Sequence, residues 1–251
     1  MIVVDAIMYA YEADALAVRL AELAGHVSAH VVTQGDHTFR GDPRTVVMLE
    51  GVTNSVTHLA GYGDPWAAEA ALRDASLTNA IAATDDDPGA LYLVSDCDEI
   101  PHPDAITQAV EQVPSRGPMV LQTSHRQWSM NLETILHAPG RKPGPMRHQA
   151  IIGTAAQLLS AGGAQEARTH AKKRGWPVAD AVGWHLTNLM PPEAVVDKIR
   201  AYAHSEYDTP EWHAQVAQMR DEGRDYLGRS GMRHTDDLPS CAPRFPHLVR
   251  S

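Results

Sequence analysis

Cysteine is scarce in this 251-residue chain, where Cys97 and Cys241 are the two thiols. So few, so far apart, exclude a disulfide framework or a zinc-ligand set and fit a reducing compartment. No apolar run approaches the ~20 residues that cross a bilayer. The opening MIVVDAIMY lacks a basic lead and is interrupted by Asp5, so it reads as a first strand and not as a signal peptide. The expectation is a protein without a membrane anchor, cytoplasmic in a bacterium or in the host cell of a phage. Excess positive charge is missing as well. A formal net charge of -10 disfavours tight nonspecific binding to nucleic acid, and the small basic clusters at residues 141–147 and 172–174 read as solvated loops. Low-complexity blocks, repeats and an obvious linker are absent. Lysine is far outnumbered by arginine and alanine, as expected of a GC-rich genome such as that of an actinobacterium or its phage.

What is present suits one substantial core: 43% of the residues are hydrophobic. Apolar runs at residues 2–8, 27–33, 45–49, 56–60 and 91–95 read as strands. Residues 12–24 and 65–83 read as helices, the second opening with the cap pair Asp64-Pro65. This alternation predicts an α/β sandwich with a largely parallel sheet. A helix at 103–113 follows. The pattern then becomes more strand-like, at 119–124, 127–132, 151–159 and 182–189, before helices at 191–206 and 210–222. The catalytic domain is expected to span residues 1–225, with 226–251 a tail laid over the surface.

One stretch stands apart. LYLVSDCDEIP, residues 91–101, ends a buried strand in three carboxylates, Asp96, Asp98 and Glu99. In an open α/β sheet ligands bind beyond the carboxyl ends of the strands. Carboxylates crowded there repel one another unless a cation or basic groups intervene. Asp96 and Asp98 therefore read as oxygen ligands for a hard divalent ion that leaves positions open for phosphate. The competing reading is acids favouring the start of a helix. A second Asp-x-Asp, Asp85 to Asp87, runs into Pro-Gly and is explained as a turn.

Several stretches together resemble glycosyltransferase family 17, which includes the enzyme that adds the bisecting N-acetylglucosamine to N-glycans. They are YEADALAVRL (11–20), HTFRG (37–41), WAAEAALR (66–73), LVSDCDEIP (93–101), GWHLTN (183–188) and KIRAYAH (198–204). The DCDEIP and GWH pieces are the specific ones. This chain departs from the family pattern at Gln34, Ala68 and His125, where Glu, Arg and Tyr are usual, which leaves the donor sugar and the acceptor open. The resemblance implies a glycosyltransferase A-type fold, a Rossmann-like single domain with a mixed central sheet flanked by helices. It also implies a UDP-sugar donor bridged to the aspartates through Mn²⁺ or Mg²⁺. The implied reaction is an inverting transfer, N-acetylglucosamine being the first expectation, to a hydroxyl of a glycan, a protein or a modified nucleic-acid base. A metal-dependent nucleotide-sugar hydrolase or nucleotidyltransferase, and a non-catalytic nucleotide-sugar-binding protein, are the alternative readings.

Within that frame Asp98 is the first choice for direct metal ligation, with Asp96 on the ribose or a metal-bound water and Glu99 bracing a basic neighbour. His185, after Gly183-Trp184 in an apolar strand, returns to the metal, where an imidazole favours Mn²⁺ over Mg²⁺. His204, with Lys198 before it, competes for that role or for the diphosphate. Arg73 falls on the apolar stripe of its helix and needs a partner, which Glu69 supplies four residues earlier. Asp5, Glu12, Asp14 and Arg19 surround the first strand-to-helix loop and are donor-site candidates. The general base that an inverting transfer requires is assigned to Asp180 or Glu133. Trp128 and Trp184 are candidates to stack on a sugar face or to be buried.

Overall fold

The computed structural model describes residues 1–136, 144–171, 173–225 and 230–250. Residues 141–143 and Lys172 of the two basic clusters lie outside them. The first half runs β1 (Val3–Tyr9), α1 (Ala13–Glu22), β2 (Ala29–Gly35), β3 (Thr53–Thr57), α2 (Pro65–Ala82), β4 (Leu91–Asp96), β5 (Glu99–Ile100) and α3 (Pro103–Arg116). The second runs β6 (Met119–Gln127), β7 (Leu132–Leu136), β8 (Gly144–Pro145), β9 (Arg147–Thr154), α4 (Ala155–Ser160), α5 (Gly163–His170), β10 (Gly183–Thr187), α6 (Pro192–Ala201), α7 (Pro210–Glu222) and β11 (Ser230–His234).

One mixed sheet results, in the order β11-β7-β6-β9-β4-β1-β2-β3, with β10 paired to β6 and to β5. The strands β4, β1, β2 and β3 are parallel, as strand-helix alternation demands. Antiparallel β9 then joins β4 to β6, so the later half closes the sheet with hairpin-like pairings. Helices cover both faces. Leu93 and Ile152 pack with Ile106 and Val113 of α3, whereas Tyr92, Val94 and Ile151 pack with Leu77 and Ile81 of α2. Residues one apart on β4 thus serve opposite cores, which explains why LYLV is apolar without alternation.

Five elements differ from expectation, the first being 127–132, where residues 128–131 turn between β6 and β7 instead of forming a strand. Residues 45–49 form no strand, because the buried Gln34 side chain clips that segment directly. Its amide donates to the Val47 carbonyl at 2.7 Å and accepts from the Val47 N–H at 3.2 Å. A carboxylate there would accept and could not donate. The 151–159 run ends as a strand at Thr154, whose hydroxyl forms a capping box with Gln157 and starts α4. Helix α5 follows it and had no apolar period long enough to be read. Within the expected 226–251 tail, of which 226–229 and 251 lie outside the described residues, β11 pairs antiparallel with β7, and Cys241, Ala242 and Leu248 enter the core beside α1 and α3.

Burial also governs the thiols. Cys97 is pushed well above the usual thiol range by burial and by Glu12, and Cys241 up to about 12 by burial and Glu22. Both are expected to resist a thiol reagent at mildly alkaline pH in the native protein and to react on unfolding. Fast labelling of either before unfolding would contradict this packing.

Candidate active site

The DCDE turn at the end of β4 is held from below by one residue. Arg19, fully buried on α1, donates to the carbonyls of Asp96 at 2.9 Å, Cys97 at 3.3 Å and Glu99 at 2.8 Å, and to Ser95 Oγ at 2.7 Å. Its remaining N–H groups meet Asp5, which is also fully buried, at 2.5 and 2.9 Å, and His30 adds a 2.8 Å contact to the same carboxylate. Asp5 and Arg19 are therefore saturated with each other and with backbone. Neither lines the cavity, and the donor-binding role expected of them is corrected to support of the turn. Asp14 likewise stays outside the cavity walls.

Above the turn lies a cavity of about 520 Å³ whose walls include Glu12, Glu69, Arg73, Asp96, Asp98 and Glu99. The three turn carboxylates do not repel freely, because side chains from distant elements separate them. Asp96 takes Arg73 at 3.0 Å from α2 and Arg168 at 2.8 Å from α5. Despite burial, Arg168 and Arg73 hold its carboxyl down at about 2. Glu99 takes the other arm of Arg168 at 2.6 Å. Burial nevertheless dominates there and, with Asp96 adding to it against Arg168, pushes Glu99 up to about 7. Arg73 also reaches Glu69 at 2.8 Å and Gln165, so the helix pair inferred from spacing is a buried one.

Asp98 has looser company. His185 Nε2 stands 3.3 Å from its Oδ1 and Lys198 Nζ 3.7 Å from its Oδ2. Burial works against its charge, yet His185 and Lys198 hold the carboxyl well below the usual range. For His185 the same contact outweighs burial and raises the imidazole. Lys198 sits closer to Glu12, at 2.7 Å. The Gly-Trp-His order follows from packing. A Cβ at Gly183 would lie 2.1 Å from the Ile100 carbonyl oxygen, so only glycine lets β10 lie against β5 and bring His185 opposite Glu99.

Of the two competing histidines, the structure sets His185 against Asp98. His204 is at the cavity mouth, edge-on to Trp66 at 4.6 Å and hydrogen-bonded to Glu206. Two other assignments are corrected. Asp180 is exposed on a turn and pairs with Gln108 of α3. Glu133 is buried in β7, bound to Ser124, Arg126 and Arg233. Neither lines the cavity, so neither is placed to take a proton there. Trp128 and Trp184 are buried at 5% and 2% exposure, whereas Trp66, 49% exposed, presents a ring at the cavity rim. Arg168, His148 and Gln165 escaped sequence reasoning. The one available signal was the need of Glu99 for a cation.

A divalent ion fits this residue set. Asp98, whose cationic partners are both beyond 3.2 Å, has room to take it with His185. Asp96 is already engaged on both oxygens by Arg73 and is less suited to direct ligation.

The glycosyltransferase family 17 profile matches residues 1–134, more than half of the 251-residue chain. No curated protein matches the chain. Among solved structures, Rv0371c from Mycobacterium tuberculosis H37Rv is 14% identical over 72% of this chain and 88% of its own, with a TM-score of 0.41. A structure of Rv0371c complexed with manganese is 12% identical over 78% of this chain and 96% of its own, TM-score 0.41. TarS 1-349 from S. aureus is 14% identical over 88% of this chain and 71% of its own, TM-score 0.43. With a carboxylate cluster at the end of β4 and the profile spanning β1, β4 and the turn that carries it, the chain belongs to glycosyltransferase family 17 and is a glycosyltransferase.

Proposed function

We propose that this glycosyltransferase is metal-dependent and inverting, and that it moves a sugar, N-acetylglucosamine in the first instance, from a UDP donor to an acceptor hydroxyl. The acceptor is a glycan, a protein or a modified nucleic-acid base. The observation that carries this is the Asp98–His185 pair on the cavity side of the turn that ends β4. Those two residues would hold a divalent cation, Mn²⁺ before Mg²⁺. The cation's chemistry would be to neutralise charge developing on the departing diphosphate. Asp96, fixed by Arg73 and Arg168, is suited to accept a hydrogen bond from a ribose hydroxyl. Lys198 adds a permanent positive charge to the diphosphate side of the cavity. The acceptor's proton passes to a group inside the cavity and not to Asp180 or Glu133.

The test is UDP release with Mn²⁺ across a panel of nucleotide sugars, with and without acceptors. Acceptor-dependent UDP supports transfer. UDP without any acceptor would indicate hydrolysis, sugar phosphate in place of UDP would indicate phosphate-bond cleavage, and binding without turnover would remove the enzymatic reading.

Metal affinity should depend on pH with a defined sign. His185 must lose its proton to bind an ion, and Asp98 raises its pKa above the ordinary 6.5. Mn²⁺ binding is therefore expected to tighten as pH rises through and beyond that value, while Asp98, depressed, stays ionised throughout. A flat affinity from mildly acidic to mildly alkaline pH in calorimetry would remove His185 from the ligand set.

Trp66 offers an exposed ring beside the cavity, a surface on which a sugar's apolar face stacks. Trp66→Ala is expected to raise acceptor KM about tenfold, equivalent to about 1.4 kcal/mol, with kcat nearly unchanged. An unaltered acceptor KM would exclude that contact.

A further inference from the structure

Three imidazoles meet at the sheet end of the cavity, and their placement follows from strand register. His125 on β6 lies directly across from His185 on parallel β10. His148 on β9 lies across from Thr123 of β6, two residues from His125 and so on the same face of the sheet. The rings approach to 4.2 Å for His148 and His185, 5.0 Å for His125 and His185, and 5.2 Å for His125 and His148. One ring nitrogen from each lies within 4.8 Å of the others.

We propose that His125, His148 and His185 form a three-nitrogen site for a divalent transition metal, one that favours imidazole-preferring ions such as Zn²⁺ or Co²⁺ over Mg²⁺. Two observations beyond proximity support it. His148 Nε2 and His185 Nδ1 are buried and have no hydrogen-bond partner, and buried ring nitrogens in a folded protein ordinarily have one. The far edge of one ring is already held, Thr134 Oγ1 lying 2.7 Å from His125 Nδ1, while Asp98, 3.3 Å from His185 Nε2, borders the site as a ligand in its own right. An outer carboxylate or hydroxyl on the far nitrogen is what orients an imidazole toward a metal. Neighbouring Asp98 and Glu99 favour a cation there over an anion, Glu99 lying 3.8 Å from His148 Nδ1. Closing on an ion at about 2.0–2.1 Å from each nitrogen draws the rings in by small side-chain rotations.

This inference deepens the proposed function and rests on it only for the ion's role beside Asp98. The experiment strips the full-length protein with a chelator and titrates it with Co²⁺, reading the visible ligand-field spectrum, and with Zn²⁺ and Mg²⁺ by calorimetry. Expected are a Co²⁺ spectrum of imidazole coordination and Zn²⁺ affinity at least about 100-fold above that for Mg²⁺. His148→Gln and His125→Gln should each weaken Zn²⁺ by roughly 10–100-fold, with folding checked by circular dichroism. Equal affinity for Zn²⁺ and Mg²⁺, or a Co²⁺ spectrum that neither substitution changes, overturns the site. The wild-type spectrum requires no variant, so a misfolded substitution leaves the test intact. Mn²⁺-dependent UDP release in a protein lacking the imidazole spectrum would sink this inference and leave the function standing. Imidazole coordination without any UDP release would do the reverse.

Discussion

Asp98→Asn is expected to lower Mn²⁺-dependent UDP release by at least about 10²–10³-fold, the usual cost of deleting one preorganised electrostatic contact to the developing charge. The substitution keeps shape and removes charge. A neutral amide offers a single weak oxygen to a cation, and it gives His185 and Lys198 no carboxylate to face. The turn itself should survive, because its backbone is held by Arg19 and by Leu186 N–H donating to the Asp98 carbonyl at 2.7 Å. Native circular dichroism with lost turnover is therefore the expected pair of results. Full turnover in this variant would contradict the metal role at its root.

The second large effect concerns stability. Arg19→Met removes one partner of a fully buried ion pair, leaving Asp5 without its guanidinium and taking the Arg19 donor from Ser95 and three turn carbonyls, of which Glu99 keeps Ser95 Oγ. Breaking a buried pair in this one-sided way costs about 3–5 kcal/mol. For a chain of this size that lowers Tm by roughly 10 °C or more, measurable by calorimetry or thermal fluorescence. Arg19→Lys should rescue little, because one ammonium cannot span Asp5 and the separated carbonyls as the planar fork does. A variant melting within a degree or two of wild type would show that the turn does not depend on this anchor. UDP release from any folded fraction should fall too, since Asp96 and Asp98 are positioned by the carbonyls Arg19 holds.

Much of the first half was legible because its signals are local. Apolar runs of strand length, an Asp-Pro helix start at Asp64, and carboxylates directly after LYLV each announce themselves within a few residues. The Glu69–Arg73 pair was readable for the same reason, as helical spacing brings residues four apart together. The His185 assignment drew on resemblance, and its geometry depends on Gly183 admitting β10 to the turn.

Other assignments failed where the decisive partner was remote. Asp5 and Arg19 carry the residue types of a donor site, yet their separation of one strand and one helix turns them inward toward each other. Glu133 looked available as a base until β6 and β11 supplied Ser124, Arg126 and Arg233. Gln34 looked like a change in the site and is a clip on a loop.

The sequence by itself determined the strand-and-helix alternation, the placing of Asp96 and Asp98 at a strand's carboxyl end, and through them the family. Periodicity and adjacency act over a few residues, so one dimension suffices to read them. Only the tertiary structure decided which charges neutralise which, that Arg168 from α5 separates Asp96 from Glu99, and that three histidines from β6, β9 and β10 share one corner. Those contacts join residues tens of positions apart. Burial makes them strong, and burial is a property of the folded chain.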